Sequence, residues 1–228
     1  IPEELGGGGI SHEETCDLIR TIAHYCGSTA LAFSMHQHLI AASVWKYKHK
    51  GESMVMLQKV AKEQLVLVST GAKDWLESNG EIIKTDGGYL LTGKKQFASQ
   101  SISGDVVVTS GPYLHPEKGW QVLHFSIPLS VSGISVLDDW DVLGMRASGS
   151  QTIVLDQVFV PDSAIVLARP RYEYHPVWDV VITVAMPLIM AAYKGYAGIV
   201  RLLLEAGADV TVVDPGMKAT ALHAAAYA

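Results

Sequence analysis

The spacing of apolar residues changes abruptly at Leu65, and this change constrains the fold class most strongly. Before it, apolar residues recur every three or four positions, as on one face of an amphipathic helix. After it, short β-branched runs alternate with Gly, Pro, Asp or Ser, as in a series of short strands. Helical spacing returns near Val177. The pattern predicts an α+β protein with a helical segment at 1–64 and a β-barrel or β-sandwich domain at 65–168.

A capping box marks the start of the first predicted helix. Ser11 is followed three residues later by Glu14, a pair that satisfies free backbone donors at a helix start. Gly27 interrupts the helical spacing, and a longer run then ends at Gly51, a residue suited to a helix C-terminus. The sequence therefore predicts three helices, the third at about 53–63.

Short apolar runs predict the strands of the second part. Two of them flank a glycine turn at 86–88 and predict a hairpin. The runs are LVLVST, EIIKT, YLLTG, GDVVVTS, QVLHFSI, GISVL and QTIVLDQVFV. The next stretch, ARPRYEYHP at 168–176, is typical of a linker, and we assign 169–186 to a linker and the start of a helix.

Charge and apolar patterning argue against two classes of partner. The formal net charge is −6 and the basic residues form no long patch, so we expect no nucleic acid. No apolar run approaches the ~18 residues of a membrane span. Cys16 and Cys26 would lie about 15 Å apart on a continuous helix, too far for a disulfide. They predict reduced thiols in a cytoplasmic protein without a signal peptide.

Three motifs have a binding interpretation and a structural one. HEETC at 12–16 is similar to part of a zinc motif but lacks the second histidine four residues on, so a capped helix start is favoured. His36 and His38 lie two apart and point in different directions on a helix. LGGGG at 5–9 has the glycine density of a phosphate loop, but no strand precedes it and no Lys-Ser/Thr follows. We favour structural roles for all three and predict no metal site.

Two further motifs leave both interpretations open. In LGMRAS, Arg146 either faces a ligand or pairs with a carboxylate such as Asp138 or Asp139. In GKKQFAS, strand alternation would put Phe97 and Ser99 on the same side. An aromatic ring could then lie against a flat ligand while the hydroxyl bonds to the ligand's edge. From periodicity alone, a core Phe and a turn Ser are favoured.

Several motifs, taken in order, resemble the acyl-CoA dehydrogenase family. They are PEELGGGGISHEETCDLIRTIAHYCGSTALAFSMHQHL, GGYLLTGKKQFASQ, GDVVVTS and DVLGMRASGSQTIVLDQVFVP, and the resemblance covers about 1–192. It implies a helical N-terminal domain, a β-domain and a C-terminal domain of four helices. It also implies that FAD lies between the β-domain and the C-terminal helices.

The resemblance implies roles for six residues. Phe97 would pack against the flavin ring, with Phe in place of the family's common Trp. Ser99 would bond near the reactive edge of the flavin. The remaining cofactor-binding residues are Ser69, Thr70, Gly71 and Arg146, the first three lying where the family has a Thr-Glu-Pro loop. Lys73 stands near a position that is often Ser in the family and contacts acyl-CoA, so a CoA ester is not implied.

From Pro187 onward the chain is similar to an ankyrin repeat. PLIMAAYKGYAGIVRLLLEAGADVTVVD is followed by a second start, TALHAAAYA, and Leu188 recurs as Leu222 about one ankyrin unit (~33 residues) later. We expect a helix-turn-helix over 187–207 that ends at Gly207, and a partial second repeat up to 228.

This segment stands where the family has the domain that supplies its catalytic carboxylate. Glu205, the only glutamate after Glu173, occupies an ankyrin surface position, so we assign no catalytic residue. We interpret the chain as a truncated or recombined (chimeric) form of an FAD-dependent oxidoreductase of acyl-type substrates. We expect weak or absent FAD binding, and a start within a domain because IPEELGGGG lacks an initiator Met.

The alternative belongs to another class of protein. In it, the ankyrin-like segment binds a protein partner and the flavin domain is an inactive scaffold. A flavin absorbance band in the purified protein would favour the oxidoreductase, and a colourless protein with a defined partner would favour the scaffold.

Overall fold

The computed structural model describes residues 1–71, 76–173 and 175. The chain divides into two compact units, one that contains residues 1–64 and one that contains residues 65–175. The helix expected near Val177, the ankyrin-like helices at 187–207 and the partial repeat up to 228 lie outside the described residues. The described part is α+β, which confirms the predicted fold class.

The helical unit contains three α-helices. They are α1 (His12–Tyr25), α2 (Gly27–Lys50) and α3 (Met54–Glu63). The predicted capping box is present: the Glu14 amide donates to Ser11 Oγ at 3.1 Å, and the Ser11 amide donates to Glu14 Oε2 at 2.7 Å. HEETC is therefore a capped helix start, as favoured. Gly51 ends α2 in the left-handed conformation, with φ of 69°.

Helices α1 and α2 pack through a small apolar core. Ile19 of α1 and Ala30 of α2 are fully buried, and partly buried side chains surround them. Cys16 on α1 is also buried, and burial raises the pKa of its thiol to about 11. Within the described residues, no helix combines the length and the apolar character needed to cross a membrane.

The second unit is a mixed sheet of eight strands. They are β1 (Leu67–Ser69), β2 (Glu81–Thr85), β3 (Gly88–Lys95), β4 (Val106–His115), β5 (Gly119–Pro128), β6 (Ile134–Val136), β7 (Ile153–Pro161) and β8 (Ile165–Pro170). The strand order is β6-β7-β3-β2-β4-β5-β8, and β1 pairs with β4 in parallel. The hairpin predicted from the glycine turn is β2–β3, in which Thr85 pairs with Gly88.

One hydrophobic core serves the whole sheet. Ile134 of β6 and Ile165 of β8, at opposite ends of the strand order, both pack against the same buried cluster around Phe125. A sheet can place both ends on one cluster only if it curls around that cluster. In the described residues all eight strands belong to one sheet, and its end strands β6 and β8 do not pair with each other. The described structure therefore does not show the predicted barrel or two-sheet sandwich.

Strand β8 includes the first two residues, 169 and 170, of the segment predicted as a linker and helix start at 169–186. Arg169 lies inside β8 opposite Val122 and is only 1% exposed. Its guanidinium donates to the Leu76 and Glu173 carbonyls at 2.8 and 2.9 Å. The composition of ARPRYEYHP concealed the strand because proline and arginine are rare inside sheets. Pro170 is tolerated here because β8 is an end strand, where a missing amide donor breaks no ladder.

A bulge in β7 reverses which positions face the core. Ile153 and Leu155 are buried, and so are Val158 and Val160, although simple alternation would expose the second pair. The reversal coincides with a positive φ of 48° at Gln157 and a register shift against β3. An extra residue of this kind lets both halves of β7 fill one core.

His38 makes the stability of the helical unit depend on pH. It is 1% exposed on α2, and burial lowers the pKa of its imidazole to about 4 from the ordinary 6.5. The ring is therefore neutral when folded, whereas in the unfolded chain it binds a proton below pH 6.5. The contribution to stability is present above pH 6.5 and is lost as the pH falls towards 4.

We predict that His38→Leu reduces the loss of unfolding free energy between pH 7 and pH 5. The largest slope that one such group can give is about 1.4 kcal/mol per pH unit. Denaturant titrations at several pH values measure it. His24→Gln, which changes an exposed imidazole on α1, is the control and should keep the wild-type pH dependence. If His38→Leu loses as much unfolding free energy between pH 7 and pH 5 as the wild type does, His38 is not the source of the pH dependence.

Candidate functional site

Two loops of the β unit meet because β3 and β7 are neighbouring antiparallel strands. Lys95 at the end of β3 pairs with Ile153 at the start of β7, so the loop after β3 and the loop before β7 leave the sheet at the same edge. We call residues 96–103 and 137–152 the paired loops. The Ala98 amide donates to the Gln151 carbonyl at 3.2 Å, and the Gln100 amide donates to the Ser148 carbonyl at 2.8 Å. These bonds make the two loops one structural element.

The paired loops concentrate left-handed backbone at residues other than glycine. Phe97, Gln100 and Met145 have φ values of 59°, 58° and 61°. Such conformations cost on the order of 1–3 kcal/mol each and cluster at functional sites, where neighbouring structure enforces them. The clustering marks the paired loops as the candidate site of the described chain.

Phe97 presents its ring at the surface of the paired loops. Its side chain is 46% exposed, and its ring meets Trp140 edge to face with centroids 6.1 Å apart. Trp140 is fixed in turn, because its Nε1 donates to the Met145 carbonyl at 3.1 Å. Phe97 is therefore not a core residue, and that part of the interpretation favoured from periodicity alone is wrong. Ser99 lies in a turn, as the other part expected.

Ser99 is buried, whereas Phe97 is exposed. Only 6% of Ser99 is exposed, against 46% of Phe97, so the two side chains do not share one exposed face as strand alternation predicted. The physical reason is that β3 ends at Lys95 and the left-handed turn at Phe97 breaks the period of two. The Ser99 hydroxyl lies 3.0 Å from Ser150 Oγ, and Ser150 Oγ lies 2.7 Å from Ser148 Oγ. Three buried hydroxyls thus form a chain next to the exposed ring.

Gln151 holds the Trp140 side of the paired loops. Its Oε1 accepts from the backbone amides of Asp139 and Trp140 at 2.7 and 2.6 Å. Hydrogen bonds from the side chain and then the backbone of Thr152 lower the pKa of Asp139. The Asp139 carboxylate is thus a fixed acceptor for this loop.

Arg146 does not make the carboxylate pair that the sequence left open. Its Nε donates to the Val142 carbonyl at 2.8 Å, and the residue is exposed. Asp138 and Asp139 bond instead to Gln151 and Thr152. Within the described residues the terminal nitrogens of Arg146 have no partner, so they are available to an anion.

The other predicted cofactor residues lie at the end of β1. Ser69 is half-buried and pairs with Val108, while Thr70 is buried and donates to Thr109 Oγ1 at 2.7 Å. Gly71 is the last described residue before 72–75, so Lys73 lies outside the described residues. Strand β1 contacts the paired loops through a hydrogen bond from Gln100 Nε2 to the Leu67 carbonyl at 3.0 Å.

A buried polar cluster beside the site was not predicted from the sequence. Lys95 is fully buried, and its Nζ donates to the carbonyls of Ser110 and Asn79 at 2.7 and 2.9 Å. Ser78 Oγ lies 2.9 Å from Ser110 Oγ. The sequence did contain a signal for this cluster: the two hydroxyl residues at 109–110 interrupt the apolar run of β4. Among the described residues, no group of three or more His, Cys, Asp or Glu is arranged to hold a metal ion.

Comparison with known proteins relates this fold to flavin enzymes. A pigment production hydroxylase of Rhodococcus sp. (strain ATCC 21145) is 27% identical over 210 residues, which cover 86% of this chain and 51% of the hydroxylase. The mitochondrial isovaleryl-CoA dehydrogenase of Arabidopsis thaliana is 27% identical over 173 residues, which cover 72% of this chain and 41% of the dehydrogenase. The chain thus spans about half the length, or less, of these relatives.

Solved structures agree on the fold. A nitrososynthase from Micromonospora carbonacea var. africana superposes with a TM-score of 0.73 at 23% identity, over 91% of this chain and 55% of that chain. TdsC from Paenibacillus sp. A11-2, in complex with FMN and indole, superposes with a TM-score of 0.70 at 23% identity, over 90% and 52%. The described chain therefore has the fold shared by acyl-CoA dehydrogenases and these monooxygenases.

A separate similarity concerns the C-terminal segment. The family model of the ankyrin repeat matches residues 186–215. This agrees with the ankyrin-like segment expected from Pro187, at the level of sequence. The matched residues lie outside the described part of the chain.

We predict that Gln151→Met loosens the loop that carries Trp140. Methionine offers no acceptor to the amides of Asp139 and Trp140, so both amides lose the hydrogen bond that holds them and open to solvent more often. Hydrogen exchange at these two amides should accelerate while the amides of Val106–Val108 in β4 keep their rates. Gln121→Met is the matched control, since Gln121 and Gln151 are both 8% exposed. Equal exchange at Asp139 and Trp140 in the wild type and Gln151→Met would contradict the assigned role.

Proposed function

We propose that this chain carries the flavin-facing wall of a flavin-dependent oxidoreductase. The observation that carries the proposal is the pairing of an exposed Phe97 ring with the buried hydroxyl of Ser99 in one strained pair of loops. The relatives support the flavin, since TdsC holds FMN. The oxidation of acyl-type substrates with FAD, implied by the resemblance, and the oxygenation of a small molecule with FMN are the two candidate reaction types.

The described residues fit the parts of a flavin. An isoalloxazine ring has flat faces, which suit the exposed ring of Phe97, and a polar edge, which suits a hydroxyl such as that of Ser99. The free terminal nitrogens of Arg146 suit a phosphate, which FMN and FAD both carry. Thr70 donates its only hydroxyl hydrogen to Thr109, so it could only accept a hydrogen bond from the ligand.

Each side chain would have a limited role. A bound flavin would supply the redox chemistry, accepting hydride when oxidised or activating dioxygen when reduced. Phe97 would cover one face of the ring and exclude water from it. Ser99 would orient the ring edge, and Trp140 would hold Phe97 in place through their edge-to-face contact. We assign no catalytic base among the described residues.

Oxygenation is favoured over acyl oxidation by the names of several relatives. The Rhodococcus protein is a hydroxylase, and a dibenzothiophene monooxygenase of Mycolicibacterium goodii is 28% identical over 183 residues. The balanced reaction would put one oxygen atom of O2 into the substrate and reduce the other to water, with two electrons and two protons from the reduced flavin, which becomes oxidised. FMN is accordingly the preferred cofactor in this proposal, and FAD is the alternative.

A second candidate function follows from the ankyrin match at 186–215. In this candidate the segment binds a protein partner and the β unit takes no flavin. It predicts that the full chain leaves the fluorescence of added FMN and FAD unchanged at every protein concentration.

We predict saturable flavin binding that depends on Phe97. Titration of FMN and of FAD with the full chain, followed by flavin fluorescence, measures the Kd for each. Phe97→Ala should raise the Kd by roughly tenfold, because loss of ring stacking costs about 1–1.5 kcal/mol. Phe159→Ala is the matched control, since Phe159 on β7 is 45% exposed against 46% for Phe97.

The comparison of variants decides between the candidates. An unchanged Kd in Phe159→Ala with a raised Kd in Phe97→Ala supports the proposed wall. If both substitutions change the Kd equally, the flavin binds elsewhere on the chain. If neither flavin binds saturably, the flavin proposal fails and protein binding through the ankyrin-like segment is the remaining candidate function. A lower Kd for FMN than for FAD supports the FMN assignment, and the reverse order supports FAD.

A further inference from the structure

The hydroxyl chain of Ser99, Ser150 and Ser148 has one hydrogen more than it can use. Each serine hydroxyl carries one donor hydrogen and can accept through two lone pairs. Two hydrogen bonds, at 3.0 and 2.7 Å, join the three oxygens in line. Within the described residues these hydroxyls bond only to one another. Two hydrogens are used and one remains, on Ser99, on Ser148, or on Ser150 if that hydroxyl accepts from both neighbours.

The burial of the three serines indicates which hydroxyl carries the spare hydrogen. At the inner end, Ser148 is 1% exposed, and among the described residues its Oγ has no acceptor other than Ser150. A hydrogen left on Ser148, or on Ser150, which is 4% exposed, would be a buried donor without a partner among these residues, which is unfavourable. At the outer end, Ser99 is 6% exposed and lies two residues from the exposed ring of Phe97. The favoured direction is therefore from Ser148 to Ser150 to Ser99, with the spare hydrogen on Ser99.

We propose that Ser150 and Ser148 are positioning residues that hold Ser99 as a hydrogen-bond donor towards the flavin. This inference rests on the proposed function and adds the polarity of the contact. The chain would select a ligand edge that accepts a hydrogen bond, as N5 of an oxidised flavin does. Ser150 is the essential link, because it is the acceptor for Ser148 and the donor to Ser99. The alternative role for Ser150 is merely to fill space in the loop.

The test compares FMN with 5-deaza-FMN, in which a C–H group replaces the acceptor N5. The full chain should bind FMN roughly tenfold more tightly than 5-deaza-FMN, the size expected for one hydrogen bond. In Ser150→Ala the ratio of the two Kd values should fall to about threefold or less. Ser150→Thr, which keeps the hydroxyl, should restore the wild-type ratio. The ratio is informative because a general loss of packing would weaken both ligands alike.

Ser101→Ala is the matched control. Ser101 also lies in the paired loops and is 3% exposed, and its hydroxyl donates to the Gly149 carbonyl at 3.2 Å, outside the hydroxyl chain. It should keep the wild-type ratio. If wild type binds FMN and 5-deaza-FMN equally, or if Ser150→Ala keeps the wild-type preference, the inferred chain is wrong and the flavin site still stands. If neither flavin binds, the proposed function fails and the inference fails with it.

Discussion

The site depends on the hydrogen bonds that join the loop after β3 to the loop before β7. Ala98 and Gln100 supply the amides, and Gln151 and Ser148 supply the carbonyls. The bonds exist because Lys95 and Ile153 are paired at the edge of the sheet, so the sheet register sets the register of the loops. Left-handed backbone at Phe97 and Gln100 is maintained by this pairing, which explains how strained residues persist in an otherwise regular unit.

Local sequence features predicted the regular elements well. The capping pair at Ser11 and Glu14, the terminating Gly51 and the glycine turn between β2 and β3 each act through neighbouring residues, so a single chain reveals them. Strand β8 was missed because Arg169 is buried through bonds to residues as distant as Leu76, which no local pattern contains. The bulge at Gln157 was not predicted either, since its cause is the shared core rather than the sequence of β7.

The candidate site was predicted in part. The resemblance drew attention to Phe97, Ser99 and Arg146, and the described structure places all three in the paired loops. Their geometry could not be predicted from alternation, because the turn at Phe97 follows from contacts with a loop some fifty residues away along the chain. The same applies to Ser150 and to the buried Lys95, each of which has a partner far away along the chain, Ser99 and Ser110 respectively. Ser69, Thr70 and Gly71 lie at the end of β1 and remain proposed cofactor contacts.

The comparisons and the geometry together favour one interpretation of the β unit. A hydroxylase and an isovaleryl-CoA dehydrogenase match this chain in sequence, and TdsC matches it in fold. The paired loops offer what the proposed flavin would need: a ring for its flat face and a hydroxyl for its polar edge. The ankyrin match at 186–215 concerns a different part of the chain and is compatible with a flavin wall at 96–103.

The most direct test of this account is an NMR titration of the isotopically labelled chain with FMN. The account predicts that the amide resonances of Phe97, Ala98, Ser99 and Gln100 shift together and saturate with one Kd, along with those of Ser148 and Ser150. Resonances of Ile83 and Phe159, which are also exposed on the β unit, should stay in place. Shifts confined to residues outside the paired loops, or an unchanged spectrum at saturating FMN, would contradict it.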